Sequence, residues 1–297
     1  VTTWRTRERV PYWSRATRPR FAWPGGKRLA VWVVPNLEYY EYLPKRYDFR
    51  DQFARIMHPD VMQWGYRDYG NRIGVWRMAD ALVEYPVRIT ASTNLAVFDH
   101  CPEIAALVRD RGWEVMSHGL YNTRYLGRDT EAQERAGLRE EIELTRRHTG
   151  QTLRGLLGPC VTNSSATMDL MAEHGLVYHA DWVHDDVPVP IRVPMGSLVS
   201  IPYAYDINDG PALEGHYDGA YLLDVCVRQF DRLRAEAADG GLVYCLPLHT
   251  YLIGQPHTIG YLRSILDHVC RFDDVWFATG GEIADAALRQ LGQGASR

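Results

Sequence analysis

The sequence predicts a single α/β domain of the barrel type, on three observations. Short apolar runs alternate with helix-period segments through the whole 297-residue chain, the rhythm of a parallel sheet with crossover helices. The run Leu29 to Val34 is apolar at every position, as strands buried on both faces are. Polar residues recur directly after the strands, at Glu38, Asn94, His118, Asp181 and His249. Closing the sheet would gather those exits at one end, where barrels carry their chemistry. A doubly wound open sheet is the competing architecture, but no Gly-x-Gly-x-x-Gly opens the first helix.

Residues 1–28 are basic, aromatic and Pro-containing, and end in Pro24-Gly25-Gly26. They read as an arm laid over the domain or a neighbouring subunit, because Trp4, Tyr12, Trp13, Phe21 and Trp23 are costly to leave in water. Residues 29–297 form the barrel. Its first strand runs out into Asn36-Leu37-Glu38-Tyr39-Tyr40-Glu41. Residues 44–71 show little periodicity but carry Tyr47, Phe49, Phe53, Trp64, Tyr66, Tyr69 and Asn71. That length suits a functional loop, and a cover over a pocket is expected. Helical spacing follows over 72–85, a strand over 87–93, and a helix over 101–111 with Pro at its start. A strand at 113–116 precedes a helix at 130–148, acidic early and basic late in keeping with its dipole and ended by Gly150. A strand at 153–157 leads to a helix at 164–174, with Ser164 or Ser165 as its cap. Strands at 176–180 and 198–203, a helix at 219–237, a strand at 241–248, a helix at 257–270, a strand at 275–278 and a helix at 280–292 complete the chain.

Composition narrows the function. A net charge of −4 gives no reason to expect nucleic acid or an anionic membrane as partner. The five cysteines are odd in number, widely spaced and free of any Cys-x-x-Cys, which argues against a disulfide framework and a structural zinc site. The basic N-terminus lacks the apolar core of a signal peptide, and no apolar run reaches membrane length. The expectation is a cytoplasmic, soluble protein.

The stretch 113–122 carries the most specific signal. An apolar strand breaks into Ser117-His118-Gly119, and Asn122 follows His118 by four residues. On a helical turn the imidazole and the carboxamide would face one spot. A second His at position 122 would be a strong metal signal; Asn is a poor zinc ligand. Cys160 and Cys245 stand near strand ends, but no cationic pattern marks either as a nucleophile.

The order of strand-end residues resembles the polysaccharide deacetylase (NodB-like) superfamily. The motifs are Asn36-Leu37-Glu38, Ser117-His118-Gly119 with Asn122, Leu157-Gly158-Pro159, Asp181-Trp182 and Leu248-His249, and they span nearly everything after residue 28. The segment Ile201-Pro202-Tyr203 with Asn208-Asp209 is similar to the branch of metal-independent allantoinases and cyclic imide hydrolases. The resemblance implies an irregular β/α barrel and hydrolysis of a non-peptide C–N bond. Two of the three metal positions depart from the deacetylase pattern: Asp-Asp is replaced by Leu37-Glu38, and His-x3-His by His118-x3-Asn122.

The resemblance gives each residue an expected role. Glu38 is the candidate general base. His118 positions water. His249 is the acid or oxyanion stabiliser. Asp181 holds His249 in the required tautomer. Asn122 offers a carboxamide donor to an oxyanion or substrate carbonyl. Asn36, Tyr39, Trp64, Pro159, Trp182, Tyr203 and His257 are expected around the substrate. No cofactor is expected. The metal-bearing alternative is a divalent ion such as zinc on Glu38, His118 and Asn122. The substrate is expected to be a cyclic amide or imide. A metal-dependent N-deacetylase or deformylase and a catalytically inactive binding barrel are the alternatives. A homodimer or homotetramer is expected.

Overall fold

In the computed structural model, residues 6–44, 56–215 and 217–294 are described. The centre of the fold is β1 (Leu29–Leu37), buried at every position. It runs parallel to β8 (Leu242–His249) through eight registered pairs, from Leu29 against Leu242 to Asn36 against His249. On its other side β1 forks. Its first residues pair with β9 (Val275–Phe277), and Asn36 and Leu37 pair with β2 (Thr90–Thr93). Beyond β2 follow β3 (Glu114–Ser117), β4 (Gly155–Leu156), β5 (Tyr178–His179), β7 (Leu198–Ser200) and β6 (Val189–Ile191). All neighbours are parallel except β6 and β7, which are antiparallel. The alternating pattern anticipated this curled parallel sheet. It did not anticipate β6, whose Val-Pro-Ile is too short to show a period.

The strand path begins at β6 and ends at β8, and between these edges lies a seam. The Val243 N–H donates to the Asp186 carbonyl across it at 2.9 Å. The arm covers it. Phe21 makes an antiparallel bridge to Gly241, and the Trp23 indole donates to the Leu242 carbonyl at 2.8 Å. Arg9 receives the Arg192 N–H on its carbonyl, and Arg18 pairs with Asp185. Val10, Phe21 and Trp23 are buried. The described part of the arm therefore packs on its own domain, where it shields the β8 edge.

Three local expectations are corrected. Within the segment read as an irregular cover, α1 (Val61–Tyr69) is a helix, its N-terminus capped by the Asp60 carboxylate accepting from the Gln63 N–H at 3.2 Å. It continues through a wider turn at Gly70–Gly74 into α2 (Val75–Leu82). Small residues are needed there: a Cβ on Gly74 would lie 2.0 Å from the Thr250 carbonyl oxygen. Tyr47, Phe49 and Phe53 lie outside the described residues. Second, neither Ser164 nor Ser165 caps the helix Thr167–Glu173; Ser164 Oγ turns instead to buried Glu134 and to the Ala166 N–H. Third, residues 118–122 are not helical, so Asn122 reaches the site by another route. Helix 131–149, by contrast, starts in a Thr130/Gln133 capping box and stops at left-handed Gly150. No described helix is long and apolar enough to cross a membrane.

Candidate active site

The register places the exits of β1, β3 and β8 together. Asn94, just past β2, ties the first two: its Oδ1 accepts the Tyr39 N–H at 2.9 Å and its Nδ2 donates to the His118 carbonyl. Glu38 and His118 each stand one residue beyond their strands, and His249 is the last residue of β8. All three converge. Glu38 Oε1 lies 3.5 Å from His118 Nε2 and 3.5 Å from His249 Nε2. Glu38 is 5% exposed and His118 4%, so water screens electrostatic interactions here little.

The ring nitrogens facing away from Glu38 set the tautomers. His118 Nδ1 is 2.8 Å from the Leu157 carbonyl, so it carries the proton and leaves Nε2 as an acceptor. His249 Nδ1 is 2.7 Å from Asp209 Oδ1, and the other oxygen of Asp209 takes the His249 backbone N–H at 2.8 Å. Asp209 is completely buried. Burial opposes a charge on His249, but Glu38 and Asp209 on either side outweigh it and push the imidazole well above its usual range. Burial likewise opposes a charge on Glu38, and His249 beside it holds the carboxyl far below the ordinary carboxylate value. The resting site is a carboxylate beside an imidazolium.

The second oxygen of Glu38 has its own support. The Tyr40 hydroxyl donates to Oε2 at 2.9 Å, and Asn122 Nδ2 donates to that same hydroxyl. Asn122 is positioned by its backbone N–H on the Tyr39 carbonyl at 3.0 Å. Asn71 Nδ2 holds the Glu38 carbonyl at 2.9 Å. Buried Arg67 of α1 lies over the Tyr40 ring at 4.9 Å and pairs with Glu214 at 3.1 Å.

Of the expected residues, Glu38, His118, His249 and Asn122 are brought together. Asn36 and Tyr203 lie beneath them: Asn36 Nδ2 donates to the Tyr203 hydroxyl at 3.1 Å and to the Leu248 carbonyl at 3.2 Å. Trp64 is one step removed, its indole donating to the Tyr40 carbonyl at 3.0 Å. Pro159 packs against the Gly119 turn, where a Cβ would fall 2.8 Å from its ring.

The remaining expectations are corrected. Asp181 does not touch His249. It accepts from the Gly158 N–H at 2.7 Å and Asn163 at 3.0 Å, and faces buried His179 at 3.0 Å, fixing the turn below the site. The Tyr39 ring turns away and stacks on His100 at 4.2 Å. Trp182 lines a cavity of about 210 Å³ in the seam, with Trp13 of the arm. His257 is exposed ahead of the helix Ile259–Val269. Burial raises the Cys245 thiol far above its usual range, which removes it as a nucleophile. Sequence reasoning missed Asp209, Tyr40, Arg67 and Asn71. Asp209 left a trace in the Asn-Asp pair ahead of Gly210, Tyr40 in the run after β1 and Asn71 in the expected cover, none of them with a role at the site.

The donors do not fit a resident zinc ion. Such a site takes three strong protein ligands. Among the described residues no group of three His, Cys, Asp or Glu side chains is arranged to hold a metal.

No family model matches the chain. A Helicobacter pylori peptidoglycan deacetylase is 22% identical over 265 residues, covering 78% of this chain and 89% of that protein. The crystal structure titled probable polysaccharide deacetylase from Pseudomonas aeruginosa superposes with a TM-score of 0.81 at 26% identity, over 92% of this chain and 95% of that one. The PuuE allantoinase structure gives 0.82 at 26% identity, over 95% and 97%. Fold, site and relatives together define a hydrolase of carbon–nitrogen bonds other than peptide bonds. Over nearly its whole length the chain is similar to proteins of the polysaccharide deacetylase (NodB-like) superfamily.

Proposed function

We propose that the protein hydrolyses a cyclic amide or imide of a small molecule by direct attack of water, without a resident metal. The observation that carries this reading is the pair His249–Glu38: an imidazolium fixed by Asp209, its Nε2 3.5 Å from a carboxylate oxygen. A metal-dependent amidase polarises the carbonyl with its ion; here His249 Nε2–H is the electrophile. The similarity to PuuE allantoinase supports a ring substrate.

The steps follow from the protonation states. Water attacks the carbonyl carbon, forming the C–O bond, and the carbonyl π pair moves onto oxygen. His249 donates a hydrogen bond to that oxyanion. Glu38 takes the water's proton, and His118 Nε2 accepts the water's other O–H. Glu38 is a weak base at rest because His249 carries a positive charge beside it. The developing oxyanion neutralises that field, so Glu38 gains proton affinity as the transition state forms. Collapse breaks the C–N bond, its electron pair goes to nitrogen, and Glu38 returns the proton there. Water has then been added across the bond, and the ring is open.

The test is hydrolysis of allantoin, hydantoin, succinimide, glutarimide, an N-formyl amine and N-acetylglucosamine, each with chelator and with added Zn²⁺. Ring opening that is indifferent to chelator is the expected result. Turnover restricted to the open N-acyl compounds and dependent on Zn²⁺ would overturn it.

A further inference from the structure

Asn122 holds a polar atom that the rest of the site leaves unanswered. Its side chain is buried, the residue being 3% exposed, and Oδ1 has no hydrogen-bond partner. A buried carbonyl oxygen without a donor is destabilising, and such an atom beside a catalytic group calls for an explanation. The sequence led to the expectation that Asn122 would present its amide N–H₂ to substrate. The hydrogen-bond chain reverses that. Glu38 is a carboxylate and accepts only, so the proton on Tyr40 Oη points to Glu38 Oε2. The phenol proton is thereby committed, and toward Asn122 Oη can only accept. The carboxamide orientation is therefore set by chemistry: nitrogen toward Tyr40, and the oxygen buried without a donor.

Resting on the ring-hydrolase reading above, we infer that Asn122 Oδ1 receives the N–H of the scissile amide, so that the enzyme takes only substrates whose leaving nitrogen carries a hydrogen. Asn122 then acts as a specificity-determining residue. The acceptor also serves the collapse step. As the tetrahedral carbon forms, the nitrogen becomes pyramidal and develops a lone pair opposite its substituents. Anchoring the N–H on Oδ1 fixes which way that lone pair points, and Glu38, one phenol away through Tyr40, is the proton source it must meet. A nitrogen bearing methyl in place of hydrogen leaves Oδ1 buried and unpaired, and the loss recurs in the transition state. Sites built around a substrate donor reject analogues lacking it far more strongly than sites that read shape alone.

The experiment compares kcat/KM for paired N–H and N-methyl forms of each amide in the panel, in the wild-type protein and in Asn122→Ala. The ratio within one sample cancels any inactive fraction. The expected wild-type ratio is about 10⁴ in favour of N–H, by the discrimination typical of a donor-reading site. In Asn122→Ala, which removes the acceptor and opens space for the methyl, the ratio should fall below about 10 while N–H turnover also drops. Asn122→Asp, which keeps an acceptor oxygen, should retain a large ratio and guards against misfolding of the alanine variant. Ring turnover with comparable N–H and N-methyl rates would overturn this inference and leave the ring-hydrolase reading standing. An unchanged large ratio in Asn122→Ala would assign the discrimination to shape and likewise overturn it. Failure to open any ring would overturn both.

Discussion

Asp209 grips His249 at two points, Oδ1 on the ring Nδ1 at 2.7 Å and Oδ2 on the backbone N–H at 2.8 Å. The first contact fixes the tautomer and the charge; the second fixes the ring's place at the end of β8. Asp209→Asn removes the negative charge and can donate where an acceptor is required. It should cut kcat/KM by about 10²–10⁴, on the scale of losses when a histidine's orienting carboxylate is neutralised. The pH profile carries the sign. Asp209 raises the His249 pKa, and the charged ring is the active form, so wild-type activity is present below that raised value and lost as pH rises through it. In Asp209→Asn the alkaline limb should move to lower pH. An unmoved limb would remove His249 as the electrophile.

Tyr40 supports one carboxylate oxygen and orients Asn122 at once. Tyr40→Phe deletes a hydrogen bond to a charged group, worth about 1.5–3 kcal/mol, and steady-state kinetics should show about a 10- to 100-fold loss in kcat/KM. The N–H over N-methyl preference should shrink in parallel, because the carboxamide is then free to turn over. A loss of rate with the preference intact would separate the two roles.

Behind the site, Ser117 Oγ donates to Glu141 Oε2 at 2.7 Å, and burial pushes this fully buried carboxyl up to about 7. Its folded-state value lies above its ordinary 4.5. The stability it contributes is therefore complete below about 4.5 and is lost as pH rises toward 7, by about 3 kcal/mol at roughly 1.4 per unit. Glu141→Gln keeps an acceptor for Ser117 and never ionises. Urea unfolding should show its advantage over wild type growing from pH 5.5 to 8.5. A constant difference would mean that Glu141 is not neutral in the fold.

Trp23 is 2% exposed, stacks on Phe21 at 5.7 Å and donates to the β8 edge. Trp23→Ala should cost about 3–5 kcal/mol, as large-to-small core changes do, read as a lower unfolding midpoint. Tyr12, 84% exposed on the same arm, should change stability by less than about 0.5 kcal/mol when cut to Ala. Equal effects would mean the arm is not docked on the seam.

The sequence by itself determined the strand–helix alternation, the buried β1 and four residues that the fold brings together: Glu38, His118, His249 and Asn122. Glu38, His118 and His249 were legible because strand exits are local, marked by an apolar run that stops at a polar residue. The caps of the helix 131–149 were equally local, written in Thr130, Gln133 and Gly150. Tertiary structure alone decided the partnerships. Asp181 and Asp209 are both acidic residues in loops after strands, and no spacing rule says which one meets His249; the curl of the sheet and the short helix Asp209–Glu214 choose Asp209. Tyr40 and Tyr39 are adjacent and alike in sequence, yet alternation along the extended chain sends one ring toward Glu38 and the other to His100. The direction of the Asn122 carboxamide belongs to the same class. It depends on where a proton sits on Tyr40, and that depends on a charge on Glu38 set by a histidine more than two hundred residues away.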